Sequence, residues 1–492
     1  MSREQPNRGN TFTRGFRRPF GLKPDSGNRH YFRGSRGGQG RGGGPARRFD
    51  SPSETNIKDG LDTSKVIETI FPPARPTPPD DVPIGNVNYV ASYNWVNTEK
   101  PTIVVPGSPA VWVGRDVPFT LQPDDGSHFV DQNSARMSEY PMLPLFVAAD
   151  IIHDKKKAPV DWPTVDIVTD RNGLRKLLRW LNPSAGREVR DFRIDVELVG
   201  TKTVLLSRWE GQTRDPPSGR SFGFAFEAAM TRAAPGCPTS GHHRAITYDM
   251  LDMKMVVRFE VDACLPTDAS TATTATNIDT KRPEKKTVAS VDDLADALEG
   301  INLVTSSTPA ITTTTTTTTT SSSSSSSSSS DINIIHAGTP VPQDALLELA
   351  SRSAYFLDQL DWNELYPQLT LAQTPGFRLG VHERGTFTQL REWQLGGSGL
   401  RSRSGTGTSS NSGSGPSDLT AQRQETAAQI VRLARVLEDI QELAIARGPG
   451  PAGSFSLLCE NGEMRVYGRK DGKSCLPPDV TSRFEAGAAE VD

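Results

Sequence analysis

The stretch KMVVRFEVD (residues 254–262) alternates between apolar and charged residues, with Val256 as the exception. Successive side chains of a β-strand point to opposite sides, so this alternation predicts a strand with one apolar and one charged face. The apolar face holds Met255, Val257, Phe259 and Val261. The charged face begins with Lys254 and Arg258 and ends with Glu260 and Asp262. The stretch therefore predicts a half-buried strand whose polar face ends in two neighbouring carboxylates.

The sequence around this strand predicts a mixed α+β fold. IDVELV (194–199) and TVLLSRWE (203–210) have the pattern of further strands. Leucines at helical spacing over 174–181 predict a helix that Asp170 caps. FGFAFEAAM (222–230) predicts a second helix.

Composition divides the chain into folded and low-complexity segments. Only 35% of the 492 residues are hydrophobic, below the usual ~45–50%, which argues against one compact enzyme that uses the whole chain. Nine threonines and ten serines follow one another over 312–330, and such a tract buries too little apolar surface to fold. The predicted segments are a disordered arm (1–84), the first part of the core (85–264), a Thr/Ser insertion (265–340), the second part of the core (341–395), a Gly/Ser linker (396–417) and a C-terminal helix and hairpin (418–492).

The second part of the core and the C-terminal segment carry their own patterns. Residues 344–360 have helical periodicity, although a strand at 345–350 is the competing interpretation. A strand or hairpin follows over 377–390. The amphipathic stretch 418–447 predicts a long helix and is a candidate surface for a protein partner. Asn461-Gly462 predicts the turn of a hairpin.

The N-terminal fifty residues are strongly basic. They hold eleven Arg and one Lys against three acidic residues, a net charge of +9, whereas the whole chain has a net charge of −3. Arg-Gly repeats interleaved with aromatic residues favour RNA binding, because arginine contacts phosphates and aromatic rings stack on bases. The candidate RNA-binding residues are Arg14, Arg17, Arg18, Arg33, Arg36 and Arg41. A solubilising tail or an import signal is the alternative.

The remaining bulk features limit the function classes. No apolar run is long enough for a membrane span, and the Arg-rich N-terminus lacks the apolar core of a secretion signal. Four widely spaced cysteines predict neither a disulfide scaffold nor a zinc ribbon, which fits the nucleus or cytoplasm. The chain contains no GxxxxGK[ST], HExxH or GxSxG motif.

Glu260 and Asp262 are candidate ligands of a divalent cation. Two carboxylates that leave the same strand face repel each other unless a cation lies between them, and oxygen ligands suit Mg²⁺ or Mn²⁺. The alternative is a solvated strand face that Arg258 and Lys254 neutralise.

Several motifs together resemble the decapping exoribonuclease family. They are GFAFE (223–227), VVRFEVDA (256–263), LLELASR (346–352), LYPQLTLAQ (365–373) and RLGVHERGTF (378–387). The resemblance implies a PD-(D/E)XK nuclease-like fold, with metal-binding carboxylates at Glu227, Glu260, Asp262 and Glu348 and a matching amide at Gln368. In that family the metal activates water against an RNA phosphodiester or cap linkage.

One position departs from the family pattern. The lysine of the E-x-K motif, which stabilises developing negative charge, is replaced by Ala350, and Arg352 is the nearest candidate substitute. The departure leaves two functions open: a metal-dependent RNA 5′-end hydrolase with slow or absent cleavage, and a non-catalytic RNA-binding protein.

Other stretches are similar to an uncharacterised fungal family that often carries the genome label geranylgeranyl pyrophosphate synthetase. They include SYNWV (92–96), PTIVVPGSPAVW (101–112) and VTDRNGLRKLL (168–178). The label implies a prenyl diphosphate synthase, an all-helical enzyme with two DDxxD motifs. Only VDDLADAL (291–298) matches that motif, and it lies in the low-complexity insertion, so prenyl transfer is a remote alternative.

The adjacent histidines His242 and His243 are a further candidate metal pair. Neighbouring side chains on a strand point to opposite faces, which makes ligation of one ion by both awkward. A structural or substrate-contacting role is the expected one.

Overall fold

The computed structural model describes residues 55–153, 160–183, 189–215, 221–238, 240–266, 331–395 and 419–485. Large β-sheets with flanking helices fill these residues, which confirms the predicted α+β class. The predicted basic arm up to residue 54, the Thr/Ser run and the whole Gly/Ser linker lie outside them.

Within the described residues the chain forms twenty strands. In chain order they are β1 (Leu61–Ile70), β2 (Ile84–Trp95), β3 (Thr102–Pro106), β4 (Val111–Trp112), β5 (Phe119–Thr120), β6 (His128–Phe129), β7 (Ile167–Asp170), β8 (Phe192–Val199), β9 (Thr203–Trp209), β10 (Arg214–Asp215), β11 (Thr231–Arg232), β12 (His242–Met250), β13 (Met253–Val261), β14 (Ala263–Cys264), β15 (Asn333–Ala337), β16 (Leu346–Ser353), β17 (Gly376–Glu383), β18 (Thr386–Gln394), β19 (Phe455–Glu460) and β20 (Glu463–Arg469).

Seven α-helices accompany these strands in the described part of the chain. They are α1 (Gln132–Arg136), α2 (Leu143–Ile152), α3 (Arg171–Leu181), α4 (Gly223–Met230), α5 (Trp362–Leu371), α6 (Thr420–Arg447) and α7 (Pro478–Thr481). None of them combines the length and the apolar character that crossing a bilayer demands.

The strands form two large sheets and a short ribbon. The larger sheet has the order β1-β20-β19-β8-β9-β7-β13-β12-β2-β3-β15 and mixes antiparallel pairs with the parallel pairs β7·β13, β7·β9 and β3·β15. The smaller sheet has the order β11-β4-β14-β16-β17-β18-β5, and β6 pairs with β10 in the ribbon.

Apolar side chains cover both faces of the central strands of the larger sheet. The predicted apolar face of β13 is buried against α3 and α6, where Leu177, Leu433 and Leu437 are fully buried. The opposite face packs against α2, with Val256 and Phe146 in its core. Burial on both faces leaves the strand ends as the places where polar side chains can gather.

The chain crosses from the larger to the smaller sheet at Asp262. β13 ends one residue before it, and β14 begins one residue after it and pairs with β16. Side chains of both sheets therefore meet at this point.

Three sequence interpretations need correction. Residues 61–70, predicted to be part of the disordered arm, form β1, and residues 333–337, predicted to belong to the insertion, form β15. Both are largely exposed edge strands, so their alternation of apolar and polar residues is weak. The helical interpretation of 344–360 is also wrong, because β16 pairs with β14 and β17 there.

The C-terminal helix and hairpin are integral to the larger sheet. The hairpin turns at Asn461 and Gly462, both with positive φ, as their sequence predicts. Its strands β19 and β20 lie between β8 and β1, and α6 packs on α3 and α5.

Candidate active-site cleft

A polar cleft of about 440 Å³ opens at the carboxyl end of β13. Its walls come from β12, β13, the start of α3, α4, and the segment that runs from the β6 ribbon into α1. Three of the predicted site residues, Glu227, Glu260 and Asp262, line it.

The two sheets and α4 bring these carboxylates together. Glu260 leaves the end of β13 and is exposed to the cleft, whereas Glu227 on α4 and Asp262 are partly buried. The Asp262 carboxylate accepts a hydrogen bond of 2.7 Å from the backbone N–H of Leu349 in β16. That bond fixes Asp262 beside the strand that carries Glu348.

Glu348 is the fourth predicted carboxylate, and it is only 9% exposed. Its Oε2 accepts a hydrogen bond of 2.8 Å from Arg171 Nη1, and its Oε1 accepts one from the side-chain amide of Gln368 on α5. The structure thus places both residues of the predicted strand-and-helix pair in direct contact.

The carboxylate cluster carries more negative charge than its surroundings neutralise. Removal from solvent and repulsion by Glu260 and Glu348 raise the pKa of Glu227 to about 8. Burial, together with repulsion by Glu348 and Glu227, raises the pKa of Asp262 well above its usual value. At neutral pH the cluster therefore retains protons unless a cation enters it.

Arg258, which precedes Glu260 on the same strand face, pairs elsewhere. Its Nε and Nη2 donate to the carboxylate of Asp170 over 2.6 and 2.9 Å, and its Nη1 donates to the carbonyl of Pro141 over 2.8 Å. Lys254 Nζ donates to the hydroxyl of Thr164. The alternative in which these two cations neutralise the carboxylate pair is therefore wrong.

Arg171 is the cation that the carboxylates meet, and the motif interpretation did not single it out. It is the first residue of α3 and follows Asp170, which caps the helix by position while its carboxylate binds Arg258. The Arg171 guanidinium is attracted to Glu348, Asp262 and Glu260. Its sequence signal is an arginine at a strand-to-helix junction, but a sequence separation of 177 from Glu348 makes the contact unpredictable from local patterns.

Ala350 and Arg352 do not supply a cation to the cleft. The Ala350 side chain packs against the apolar cluster around Trp362 and Phe377. Arg352 donates to the carbonyls of Phe356 and Gln359 in the turn that follows β16. Arg352 is therefore not the substitute for the missing lysine.

The adjacent histidines are buried in the wall of the cleft. His242 Nδ1 lies 2.9 Å from Asn94 Oδ1, and the His243 ring stacks on Tyr93 with centroids 5.2 Å apart. Burial lowers the pKa of His243 to about 3. Different partners and uncharged rings fit the structural role that the strand geometry predicts.

The chemistry of the donor set fits a hard divalent cation, because carboxylate oxygens are the ligands that Mg²⁺ and Mn²⁺ prefer. Across the described residues, however, no three His, Cys, Asp or Glu side chains are already arranged around one metal position. The ion pair of Glu348 with Arg171 is the contact that a metal ion would have to replace.

Some predicted functional residues fall elsewhere. The six arginines of the predicted RNA-binding arm, Arg14, Arg17, Arg18, Arg33, Arg36 and Arg41, lie outside the described residues, and so does the VDDLADAL motif.

A family described as "Domain of unknown function (DUF8563)" matches residues 64–396, about two thirds of the sequence. The chain belongs to this family. The DUF8563 region contains all five predicted site residues and ends before α6, although α6, β19 and β20 complete its larger sheet. A search of curated proteins returns no match.

Solved structures similar to this DUF8563 protein share little sequence with it. S. pombe Rai1 in complex with 3′-FADP is 12% identical, with 81% of this chain and 96% of that chain covered and a TM-score of 0.43. Candida albicans Rai1 in complex with pU5-Mn²⁺ is 10% identical, with coverages of 84% and 99% and a TM-score of 0.43. K. lactis Dxo1 in complex with manganese is 9% identical, with coverages of 83% and 96% and a TM-score of 0.37.

Proposed function

We propose that this protein binds RNA and that its cleft is a metal-dependent hydrolase site for RNA 5′ ends, with turnover slowed by the alanine at position 350. The observation that carries the proposal is that three carboxylates, Glu227, Glu260 and Asp262, line one cleft, and that Asp262 is hydrogen-bonded to the strand that carries the fourth, Glu348. Burying that much like charge destabilises a protein unless a ligand compensates it, so such clusters are typical of functional sites.

The carboxylates Glu227, Glu260, Asp262 and Glu348 would hold the metal ion. A bound Mg²⁺ or Mn²⁺ would polarise a phosphoryl oxygen and lower the pKa of a water molecule. Gln368 donates to Glu348 and thereby orients its carboxylate. These contacts support a site in which the chain's own residues hold the ligands in place.

Two arginines of α3 suit the phosphate group of an RNA substrate. Arg171 and Arg175 lie one helical turn apart, and both line the cleft beside the carboxylates. The Nε of Arg175 is buried and has no partner among the described residues. Arg175 Nη2 donates to Glu364 over 3.3 Å, and guanidinium groups are suited to phosphate oxygens.

The second candidate function is RNA binding without turnover. Two features favour it. The ion pair between Arg171 and Glu348 competes with metal binding, and Ala350 provides no positive charge to stabilise a transition state. The basic N-terminal composition supports RNA binding in either case. Prenyl transfer is not favoured, because the core around the cleft is built from β-sheets.

A cleavage assay tests the proposal. The full chain is incubated in Mn²⁺ with 5′-monophosphate, 5′-triphosphate and capped forms of one labelled RNA under single-turnover conditions. We expect slow, metal-dependent loss of the 5′ end from at least one form. The variants Asp262→Asn and Glu227→Gln should lose this activity, and Asp249→Asn, which lies at the far end of β12, should keep it.

Binding of the RNAs is measured in parallel. RNA that is bound but never cleaved, with Ala350→Lys equally inactive, would leave the non-catalytic function. Failure to bind any of the RNAs would contradict both functions.

A further inference from the structure

Two aromatic rings stack face to face in the wall of the cleft. The ring centroids of His128 and Phe224 are 3.5 Å apart, and their planes differ by 9°. Both residues line the cleft, and Phe224 remains 50% exposed. A half-exposed phenylalanine in a polar cleft offers one open face to a flat ligand.

The packing of α4 does not explain this exposed ring. Phe226 and Met230 on the same helix are fully buried in the core of the smaller sheet, and Phe222 just before it is 8% exposed. Asp124 fixes the start of the helix by accepting a hydrogen bond of 2.8 Å from the backbone N–H of Ala225. The helix is thus anchored without Phe224, whose ring is held at the cleft instead.

The position of Phe224 relates it to the carboxylates. Residues three apart on a helix lie on the same face, about 4.5 Å apart along the axis. Phe224 and Glu227 have this spacing on α4 and both line the cleft. A ligand stacked on Phe224 would therefore lie beside the cluster that carries the proposed chemistry.

His128, the second ring of the stack, lies in the two-stranded ribbon of β6 and β10, which also carries basic and aromatic residues. Phe129 follows His128 in β6, and the Arg214 guanidinium of β10 lies 3.7 Å from its ring centroid. Arg136 approaches the same ring from α1 at 5.2 Å. Aromatic rings interleaved with guanidinium groups are typical of surfaces that bind unpaired nucleotides.

We infer that the stacked pair of His128 and Phe224 is a platform for one unpaired nucleobase of an RNA strand in the cleft. The inference rests on the proposed function and names the substrate class: single-stranded RNA. A base within a duplex is already stacked on both faces, so only an unpaired base can lie on the open face of Phe224. Arg171 and Arg175, which line the same cleft, would then contact the phosphates of that strand.

Binding of matched RNAs to the full chain tests the platform. EDTA is present to prevent cleavage, and the salt concentration is fixed at 150 mM. One RNA is a labelled ten-nucleotide strand, and the others carry an abasic residue at each position in turn. The basic arm is present in the wild type and in every variant, so a loss that Phe224→Ala alone removes is assigned to this ring and not to the arm.

We expect one abasic position to weaken binding to the wild type by roughly 5- to 50-fold, the range of a single stacked base. Phe224→Ala should weaken binding of the intact RNA by a similar factor and should bind that abasic RNA no less tightly than the wild type does. Phe224→Tyr should restore the difference. Phe71→Ala removes another exposed phenylalanine, 74% exposed and outside the cleft, and should change nothing.

Equal losses of affinity for intact and abasic RNA in Phe224→Ala would overturn the platform, and so would no loss for either. The proposed function would survive both results, because RNA would still be bound. Failure of the wild type to bind any of the RNAs would instead remove the proposed function and the platform together.

Discussion

Two charge clusters with opposite character lie along β13 and at the residue that follows it. Around Arg258 the charges balance: its guanidinium meets the Asp170 carboxylate, a carbonyl and the hydroxyl of Tyr93. Two and four residues further on, Glu260 and Asp262 join a cluster in which carboxylates outnumber the one arginine bonded to them. The charges of the first cluster are paired, whereas the acids of the second repel one another, which disfavours their ionised forms.

The difference lies in the partners that each end of the strand meets. Arg258 lies beside β7, where Asp170 is its register partner in the parallel pair. Asp262 lies where the chain crosses from one sheet to the other, and the neighbouring α4 and β16 contribute further acids there, Glu227 and Glu348. Neighbouring positions on one strand can therefore serve stability and function separately.

The largest expected effect is the loss of the balanced cluster. Arg258→Met should lower the free energy of unfolding by about 3–5 kcal/mol, because it leaves the Asp170 carboxylate buried and unpaired. Urea unfolding at pH 7 measures the change. Arg465→Met is the control: this arginine is 40% exposed and pairs with Glu463 on the surface, so its loss should cost less than about 0.5 kcal/mol. Similar effects of the two variants would contradict the comparison.

Adding a cation to the acidic cluster should raise the rate of RNA cleavage. Position 350 lies two residues from Glu348 on β16 and therefore on the same strand face. In Ala350→Lys the aliphatic stem can pack along the apolar cluster at Trp362 while the amine extends toward the carboxylates. We expect the rate of Mn²⁺-dependent RNA cleavage to rise by about 10- to 100-fold, the range of one electrostatic contact to a developing charge.

Ala350→Met separates charge from volume in that experiment. It fills similar space without a charge and should leave the cleavage rate unchanged. Equal rates for Ala350→Met and Ala350→Lys would show that a cation at this position does not act on the reaction.

Removing one acid from the same cluster should stabilise the protein. Glu227→Gln should raise the free energy of unfolding at pH 8 by about 1–3 kcal/mol, since it removes a carboxyl whose ionised form is disfavoured in the folded state. The comparison predicts the reverse for Asp170→Asn, which should destabilise because it weakens the balanced pair. Urea unfolding of both variants at one pH checks the two signs together.

The pH dependence of this gain follows from the raised pKa of Glu227, about 8 in the folded state against 4.5 ordinarily. Between these values the folded state holds a proton that the unfolded state has released, so stability falls as pH rises from about 4.5 to 8. The destabilisation is absent below this window and complete above it. Glu227→Gln should flatten the slope, and an unchanged slope would show that Glu227 is not the titrating group.

Local patterns in the sequence predicted the elements that surround the site. The alternation of 254–262 predicts β13, and the leucine spacing of 174–181 predicts α3, because each is decided by burial along a single element. Contacts that depend on distant parts of the chain leave no such local pattern. Arg171 and Glu348 are far apart in sequence, and no periodicity links them.

The edge strands also could not be predicted from local sequence patterns. The largely exposed β1 follows no apolar alternation, and its place in the sheet depends on the backbone groups of β20, 400 residues away. The local pattern of residues 346–353 fits both a helix and a strand, and pairing with β17 makes the segment a strand. Pairing decides these segments, and pairing is not a local property.

The smallest expected effect is that of the metal itself. Mn²⁺ at millimolar concentration should raise the melting temperature by about 2–5 °C, since a ligand that binds only the folded state stabilises it by mass action. The gain should be larger at pH 8.5 than at pH 6.5, because metal ligands must be deprotonated and the pKa values of Glu227 and Asp262 are raised. Asp262→Asn should abolish the gain, while Asp249→Asn, remote from the cleft, should keep it. If the wild type melts at the same temperature with and without Mn²⁺ at both pH values, the acidic cluster is compensated by Arg171 and protons alone, and the non-catalytic function becomes the better account of the cleft.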